Sequence, residues 1–132
     1  MKESIYTLKI LKGTNKFVHK ELLEKYPDTE IIKENKSEIA FKNKESNIET
    51  FRNLYSPTHI EDSNGKILNL SKREWRKEYV PAGINPSLAY ILCMIADLNK
   101  EDIVYDPFCG ASVISITALK YFNVKRVICS DI

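Results

Sequence analysis

Two carboxylates, a proline and a glycine fall in a pattern with chemical meaning near the end of the chain. Asp106, Pro107 and Gly110 lie within Asp102-Ile103-Val104-Tyr105-Asp106-Pro107-Phe108-Cys109-Gly110-Ala111-Ser112, and Asp131 follows Gly110 by 21 positions. A turn glycine followed at about that distance by an acidic residue is the pattern of a nucleotide-binding βαβ unit. The glycine lets the backbone approach a ligand, and the carboxylate accepts ribose hydroxyls. The elements that must hold these residues are predicted as follows. Ile103 to Tyr105 is a short apolar run and reads as a buried strand, stopped at Asp106-Pro107 because proline has no N–H for a sheet ladder. Gly110 permits a tight turn. Val113, Ile116, Ala118 and Leu119 then fall at near-helical spacing. Arg126-Val127-Ile128-Cys129 reads as a second strand, ending in Ser130-Asp131.

The pentapeptide Asp106-Pro107-Phe108-Cys109-Gly110 resembles the first motif of S-adenosylmethionine-dependent N-methyltransferases that act on nucleic acid. It is most similar to that of the tRNA and rRNA guanine-N2 methyltransferases that often carry a THUMP domain. The block Tyr79-Val80-Pro81-Ala82-Gly83-Ile84-Asn85-Pro86-Ser87-Leu88-Ala89 is similar to the lead-in helix of that family. The resemblance covers roughly residues 72–132 and extends to the N-terminal part only loosely. It implies S-adenosyl-L-methionine as cofactor and RNA, above all tRNA, as partner. Asp106, Pro107, Phe108, Cys109, Gly110, Ser112 and Asp131 are the implied cofactor-binding residues, with Asn85 and Ser87 beside the methionine end. Asp106 would order the loop or meet the cofactor's amino group through water, and Phe108 and Cys109 would present their backbones. One departure stands out. The family usually continues Gly-Ser-Gly-Thr, whereas this chain has Gly110-Ala111-Ser112-Val113, so a Cβ stands at Ser112 where none is usual. The expectation is a weakened site, not an abolished one.

Each of these residues also has a plainer reading. Asp106-Pro107 can be a simple turn and Asp131 an ordinary strand-end residue. Asn85 and Ser87 can cap and pack the following helix. Cys109 reads as a small buried filler rather than a nucleophile, since nothing nearby in sequence would depress its pKa. His19 is placed on a helix and His59 in a loop-like stretch, both structural or solvated.

Length and composition set the frame. A chain of 132 residues allows one ordinary domain or two small ones. The formal net charge is +2, with a small positive balance over residues 1–80 and near neutrality beyond, which is compatible with RNA contact without requiring it. Cys93, Cys109 and Cys129 are widely spaced with no Cys-x-x-Cys, which argues against a zinc site and against a disulfide framework. Met1-Lys2-Glu3-Ser4-Ile5-Tyr6 has no signal-peptide core, and the longest apolar run, Leu88 to Ala96, is short for a membrane span. A reducing, cytoplasmic setting is the expectation, with no metal and no membrane; the oligomeric state is not legible.

Ahead of this, the predicted order is β-α-β-β-α-β. Ile5 to Ile10 is a strand. Asn15 caps a helix whose face is Phe17, Val18, Leu22 and Leu23, ended by Pro27 and Asp28. Glu30 to Lys33 and Glu38 to Lys42 are strands about an Asn35-Lys36 turn. Ser46 or Asn47 caps a second helix bearing Ile48, Phe51, Leu54 and Tyr55, and Ile67 to Leu70 is a last strand after Asn64-Gly65. That order is ferredoxin-like. The fold class expected is α/β: a ferredoxin-like α+β module over residues 1–70, a linker over 71–87, and over 88–132 the first part of a Rossmann-like methyltransferase sheet. Too little chain lies between residues 62 and 78 for a THUMP domain.

Ser71 to Tyr79 interleaves cations with aromatics. Lys72, Arg73, Trp75, Arg76 and Lys77 are candidate RNA contacts, the cations for phosphates and Trp75 for an unpaired base. The alternative is a helix with a solvated charged face and Trp75 packed inward, where Glu74 and Glu78 pair with neighbouring cations. A helix from about Leu88 to Leu98 follows the Pro81-Gly83-Pro86 hinge, with Leu88, Ile91, Leu92 and Ile95 as its apolar face.

The resembling enzymes orient the target amine with an Asn/Asp/Ser-Pro-Pro-aromatic motif after the fourth strand. The sequence through Ile132 lacks it, and Ser56-Pro57-Thr58-His59 does not qualify as a permuted copy. No catalytic residue is therefore assigned. The expectation is the N-terminal piece of a longer enzyme, with the motif roughly 60–80 residues further on, about the length of two more βαβ units. The 132 residues alone are expected to give no turnover, checked with radiolabelled cofactor and tRNA. Two other classes stay open: a non-catalytic RNA- or partner-binding protein with a decayed methyltransferase fold, and a DNA amino-methyltransferase.

Overall fold

The computed structural model describes residues 3–75, 83–107, 110 and 112–130. The chain divides into two compact units, Met1–Ser71 and Lys72–Ile132.

The first unit is built on β1 (Ser4–Lys9), which alternates inward Tyr6 and Leu8 with outward Ile5, Thr7 and Lys9, the period-2 pattern of a sheet with one covered face. After α1 (Asn15–Lys25) come β2 (Glu30–Glu34), β3 (Glu38–Asn43), a single 3-10 turn (Ile48–Phe51), β4 (His59–Asp62) and β5 (Ile67–Asn69). The sheet runs β2-β3-β1-β4-β5 with every neighbour antiparallel. Across it, Tyr6 faces Phe41, while Leu8 faces Ile39 on one side and Ile60 on the other. Val18 and Leu22 of α1, with Ile48, Phe51 and Leu54, cover that face. Tyr6, Phe41 and Phe51 form a ring cluster with centroids 4.7–5.5 Å apart.

Several details depart from expectation. The cap of α1 is Thr14, whose hydroxyl bonds the Leu11 carbonyl, while the Asn15 side chain reaches across to Glu34 and the Asn35 carbonyl. Leu23 is exposed, and Glu21 takes the inward position instead. The second helix shrinks to one 3-10 turn. Asn47 caps it, accepting from the Glu49 N–H. Beyond Leu54, however, the Tyr55 and Ser56 amides go to the Glu21 carboxylate, and Pro57 disfavours helical geometry at the residue before it. His59, expected in a loop, opens β4 opposite Lys9. The Asn64-Gly65 turn joins β4 to β5: the Asp62 carboxylate accepts from the Asn64 and Lys66 N–H groups, and Gly65 sits at φ +85°.

The second unit holds α2 (Pro86–Ile95), β6 (Ile103–Asp106), α3 (Val113–Phe122) and β7 (Arg126–Cys129). β6 and β7 pair in parallel, Val104 beside Val127. Those two valines turn toward the helices, where Cys93, Ala118 and Val124 form the buried centre with Leu98, Ile114 and Phe122 around it. Burial pushes the Cys93 thiol up to about 11. The buried stripe of α2 is Pro86, Ala89, Tyr90 and Cys93, with Ile91 also covered. Leu88, Leu92 and Ile95 of the expected face are exposed. The helix is apolar nearly all round, so periodicity alone did not fix its phase. Among the described residues no helix is long and apolar enough to cross a membrane, and no cluster suited to a metal ion occurs.

Candidate functional site

The site expected from the sequence lies at the carboxyl ends of β6 and β7, where ligands bind in open parallel sheets. β6 ends at Asp106, which is half-buried, and Pro107 leaves the ladder. One further link carries the parallel pairing past β7: the Ser130 N–H donates to the Asp106 carbonyl at 3.0 Å. The Ser130 hydroxyl lies 3.5 Å from the Pro107 carbonyl. The two strand ends are thus tied together just where the loop departs. Gly110 has φ +49°, a left-handed value that L side chains rarely adopt, and it is exposed. A Cβ placed there would meet no atom within 4 Å. Glycine suits this dihedral, and the space beside it is open, so a ligand can come against the backbone.

Ser112 leads into α3, its carbonyl accepting from the Ile116 N–H at 2.9 Å. It too is left-handed, at φ +64°, and its hydroxyl makes no capping bond. The Ser112 hydroxyl lies 3.5 Å from the Cys129 sulfur. This gives a physical reason for the glycine usual at that position in the resembling family: the chain needs a positive φ to enter the helix. Cys129 is disulfide-bonded, a pairing that the cysteine spacing did not predict, whereas Cys93 is a free buried thiol.

Asp106, Pro107, Gly110 and Ser112 are therefore brought together around the strand ends. Phe108, Cys109 and Asp131 lie outside the described residues. Asn85 and Ser87 occupy the first turn of α2. The Asn85 side chain accepts from the Ser87 N–H at 2.8 Å, and Ser87 is fully buried. Both are engaged as a helix cap and its packing, the plainer of their two readings.

Within the cation-rich stretch Arg73 packs inward, Trp75 is half-buried, and Lys72 and Glu74 are exposed. Arg73 is 7 % exposed, with its guanidinium 5.8 Å from the Tyr121 ring centroid. The Trp75 indole N–H donates to the Tyr121 hydroxyl at 3.1 Å, and Tyr90 packs edge-on against the same ring. The Trp75 contact with Tyr121 corresponds to the alternative reading, in which the tryptophan packs inward. Arg76 and Lys77 lie outside the described residues. Tyr121 organises this cluster and was missed; its only sequence signal is an aromatic near the end of α3.

Residues 73–125 match the family model described as RMKL-like, methyltransferase domain. The matched segment contains α2, β6, the loop and α3. No curated protein and no solved structure matches the chain. The match supports a methyltransferase, and that domain family generally uses S-adenosylmethionine. The residues present fit such a group: an open backbone approach at Gly110, a half-buried carboxylate at Asp106, and a helix start beside the strand ends.

Proposed function

We propose that the second unit is the cofactor-binding part of an S-adenosylmethionine-dependent methyltransferase acting on RNA, with the exocyclic N2 amine of guanine in tRNA as the target class. The match of residues 73–125 to a methyltransferase domain carries the reading. The geometry at the ends of β6 and β7 supports it. The cofactor would supply a methyl group from its sulfonium. Gly110 would let the backbone come against it, Asp131 would accept the ribose hydroxyls, and Asp106 would hold the loop's entry. The chain's part is to bind and orient in a site sheltered from water. RNA rests on the resemblance of the pentapeptide, and on Lys72 with Arg76 and Lys77 as candidate contacts. The first unit is read as ferredoxin-like, supported by the β2-β3-β1-β4 order and its antiparallel sense. A cytoplasmic setting belongs to the same proposal.

The test is calorimetric titration of S-adenosylhomocysteine into the purified chain, with Asp131→Ala beside it. Micromolar binding that disappears in the variant is expected. A folded chain that binds nothing would count against a preformed site. It would favour the second reading, a non-catalytic RNA- or partner-binding protein with a decayed loop, which the left-handed Ser112 supports. Methyl transfer from labelled cofactor to tRNA, compared with DNA, tests the substrate class.

A further inference from the structure

The first unit contains a surface pocket that no part of the methyltransferase reading uses. It has a volume of about 620 Å³ and is lined by Lys25, Tyr26, Thr50, Asn53 and Tyr55. That size lies within the roughly 300–1,000 Å³ of small-molecule sites.

A buried carboxylate builds its rim. Glu21, 2 % exposed, accepts from the Tyr55 N–H at 2.9 Å and from the Ser56 N–H and hydroxyl at 2.8 and 2.6 Å. It also pairs with the Lys25 ammonium at 2.6 Å. Lys25 in turn donates to the Asn53 carbonyl and stands 4.4 Å from the Tyr55 ring centroid. The Tyr26 hydroxyl donates to the Thr50 carbonyl, and its ring leans on buried Phe51. The Tyr26 ring is therefore held before any ligand arrives, so little of its side-chain entropy is lost on binding.

The chemistry of the lining selects the ligand. Glu21 offsets the Lys25 charge, so the pocket is not built for a phosphate. It offers the Tyr26 and Tyr55 rings together with the exposed Asn53 and Thr50 side chains. Rings for stacking with amide and hydroxyl groups for edge contacts suit a neutral planar heterocycle. We propose that this pocket holds one unpaired nucleobase of the RNA substrate, an inference that rests on the RNA reading above.

The test is fluorescence-anisotropy binding of a labelled single-stranded RNA, and of the same RNA as a duplex, to the 132-residue chain. Tyr55→Leu and Asn53→Ala are measured beside it, each shown folded by circular dichroism. A loss of about tenfold or more in single-strand affinity for Tyr55→Leu, with duplex binding unchanged, is expected. Wild-type affinity in both variants overturns the pocket and leaves the RNA reading standing. Guanosine and adenosine monophosphate are titrated separately by NMR. Shifts confined to the five lining residues support the pocket as a nucleobase site even where no RNA binds, and then the RNA reading alone fails. Neither shifts nor RNA binding overturns both.

Discussion

The two units bury their apolar residues in different ways. In the first, thirteen residues from a five-stranded antiparallel sheet, α1 and the 3-10 turn form one cluster on one face of the sheet. The other face carries mostly polar residues, Thr7, Lys9, Glu38, Lys42 and Glu61, with Ile5 and Ile67 also exposed on it. In the second, among the described residues, Cys93, Ala118 and Val124 centre a cluster between the helices and one face of a two-stranded parallel sheet. The opposite face shows Ile103, Tyr105 and Ile128, at 52, 63 and 43 % exposure. Antiparallel sheets stand with one wet face, whereas parallel sheets are ordinarily covered on both. The units also differ in backbone. Among the described residues, left-handed positions in the first fall on glycines, Gly13 and Gly65. The second adds Asp97, Ser112 and Asn123, all at helix ends. The first unit also carries surface charge pairs such as Lys9–Glu38 and Lys44–Asp28. The first unit is thus organised by its own core and pairs, and the second by loop geometry at a sheet end.

The largest effect expected from this contrast comes from Phe51→Ala. Phe51 is fully buried at the centre of the first unit's ring cluster, and truncation should cost about 3–5 kcal/mol through lost transfer energy and the cavity left behind. Trp75, the single tryptophan, lies in the second unit and reports on its unfolding. Denaturant unfolding followed by circular dichroism should therefore shift, while the Trp75 fluorescence transition should move much less. Coincident shifts in both signals would mean one cooperative unit and would break the comparison.

A smaller effect is expected at Ser112. A non-glycine residue in the left-handed region costs about 1–2 kcal/mol, against the extra unfolded-state entropy of glycine. Ser112→Gly should stabilise the Trp75 transition by about 0.5–1 kcal/mol net. It should also tighten S-adenosylhomocysteine binding if Ser112 is what weakens the loop. Tighter binding without added stability would locate the cost in the ligand contact instead of the backbone.

What the sequence made legible follows the same division. The β-branched and aromatic residues of Ile5 to Ile10 marked a strand, and the Asn35-Lys36 turn marked Glu38 to Lys42 as a returning one. The loop after Asp106 was legible because proline and glycine act locally, through a missing donor and a positive φ. Tertiary competition was not legible. The apolar face read for α1 leaves Glu21 out, yet its carboxylate accepts from the Tyr55 and Ser56 amides that a longer helix at 52–55 would have used. Four residues were too few to flag β4, which exists because β1 supplies its partner. The phase of α2 was hidden because Leu88, Leu92 and Ile95 are as apolar as the residues actually buried. For Ser71 to Tyr79 the residue types left two readings open, an RNA surface or an inward-packed Trp75, and the Trp75 contact with Tyr121 depends on a residue distant in sequence.

The smallest expected effect concerns the ion pairs. Hydrogen bonds from His19 first, then Asn15, hold the Glu34 carboxyl below its ordinary value of 4.5. A folded pKa below the unfolded one contributes stability that is fully present above the unfolded value. That contribution is lost as the pH falls through the folded value. Acidification from neutral into that range should therefore weaken the first unit, and His19→Ala should remove part of the dependence. The pair links α1 to the edge strand β2 and is well exposed, so the loss should be at most about 1 kcal/mol and smaller in high salt. The check is an NMR titration of the Glu34 side chain in both proteins, in which the variant's midpoint should move up toward the ordinary value. An unmoved midpoint would mean that Asn15 alone sets the shift, and the edge of the first sheet would then owe nothing to the histidine.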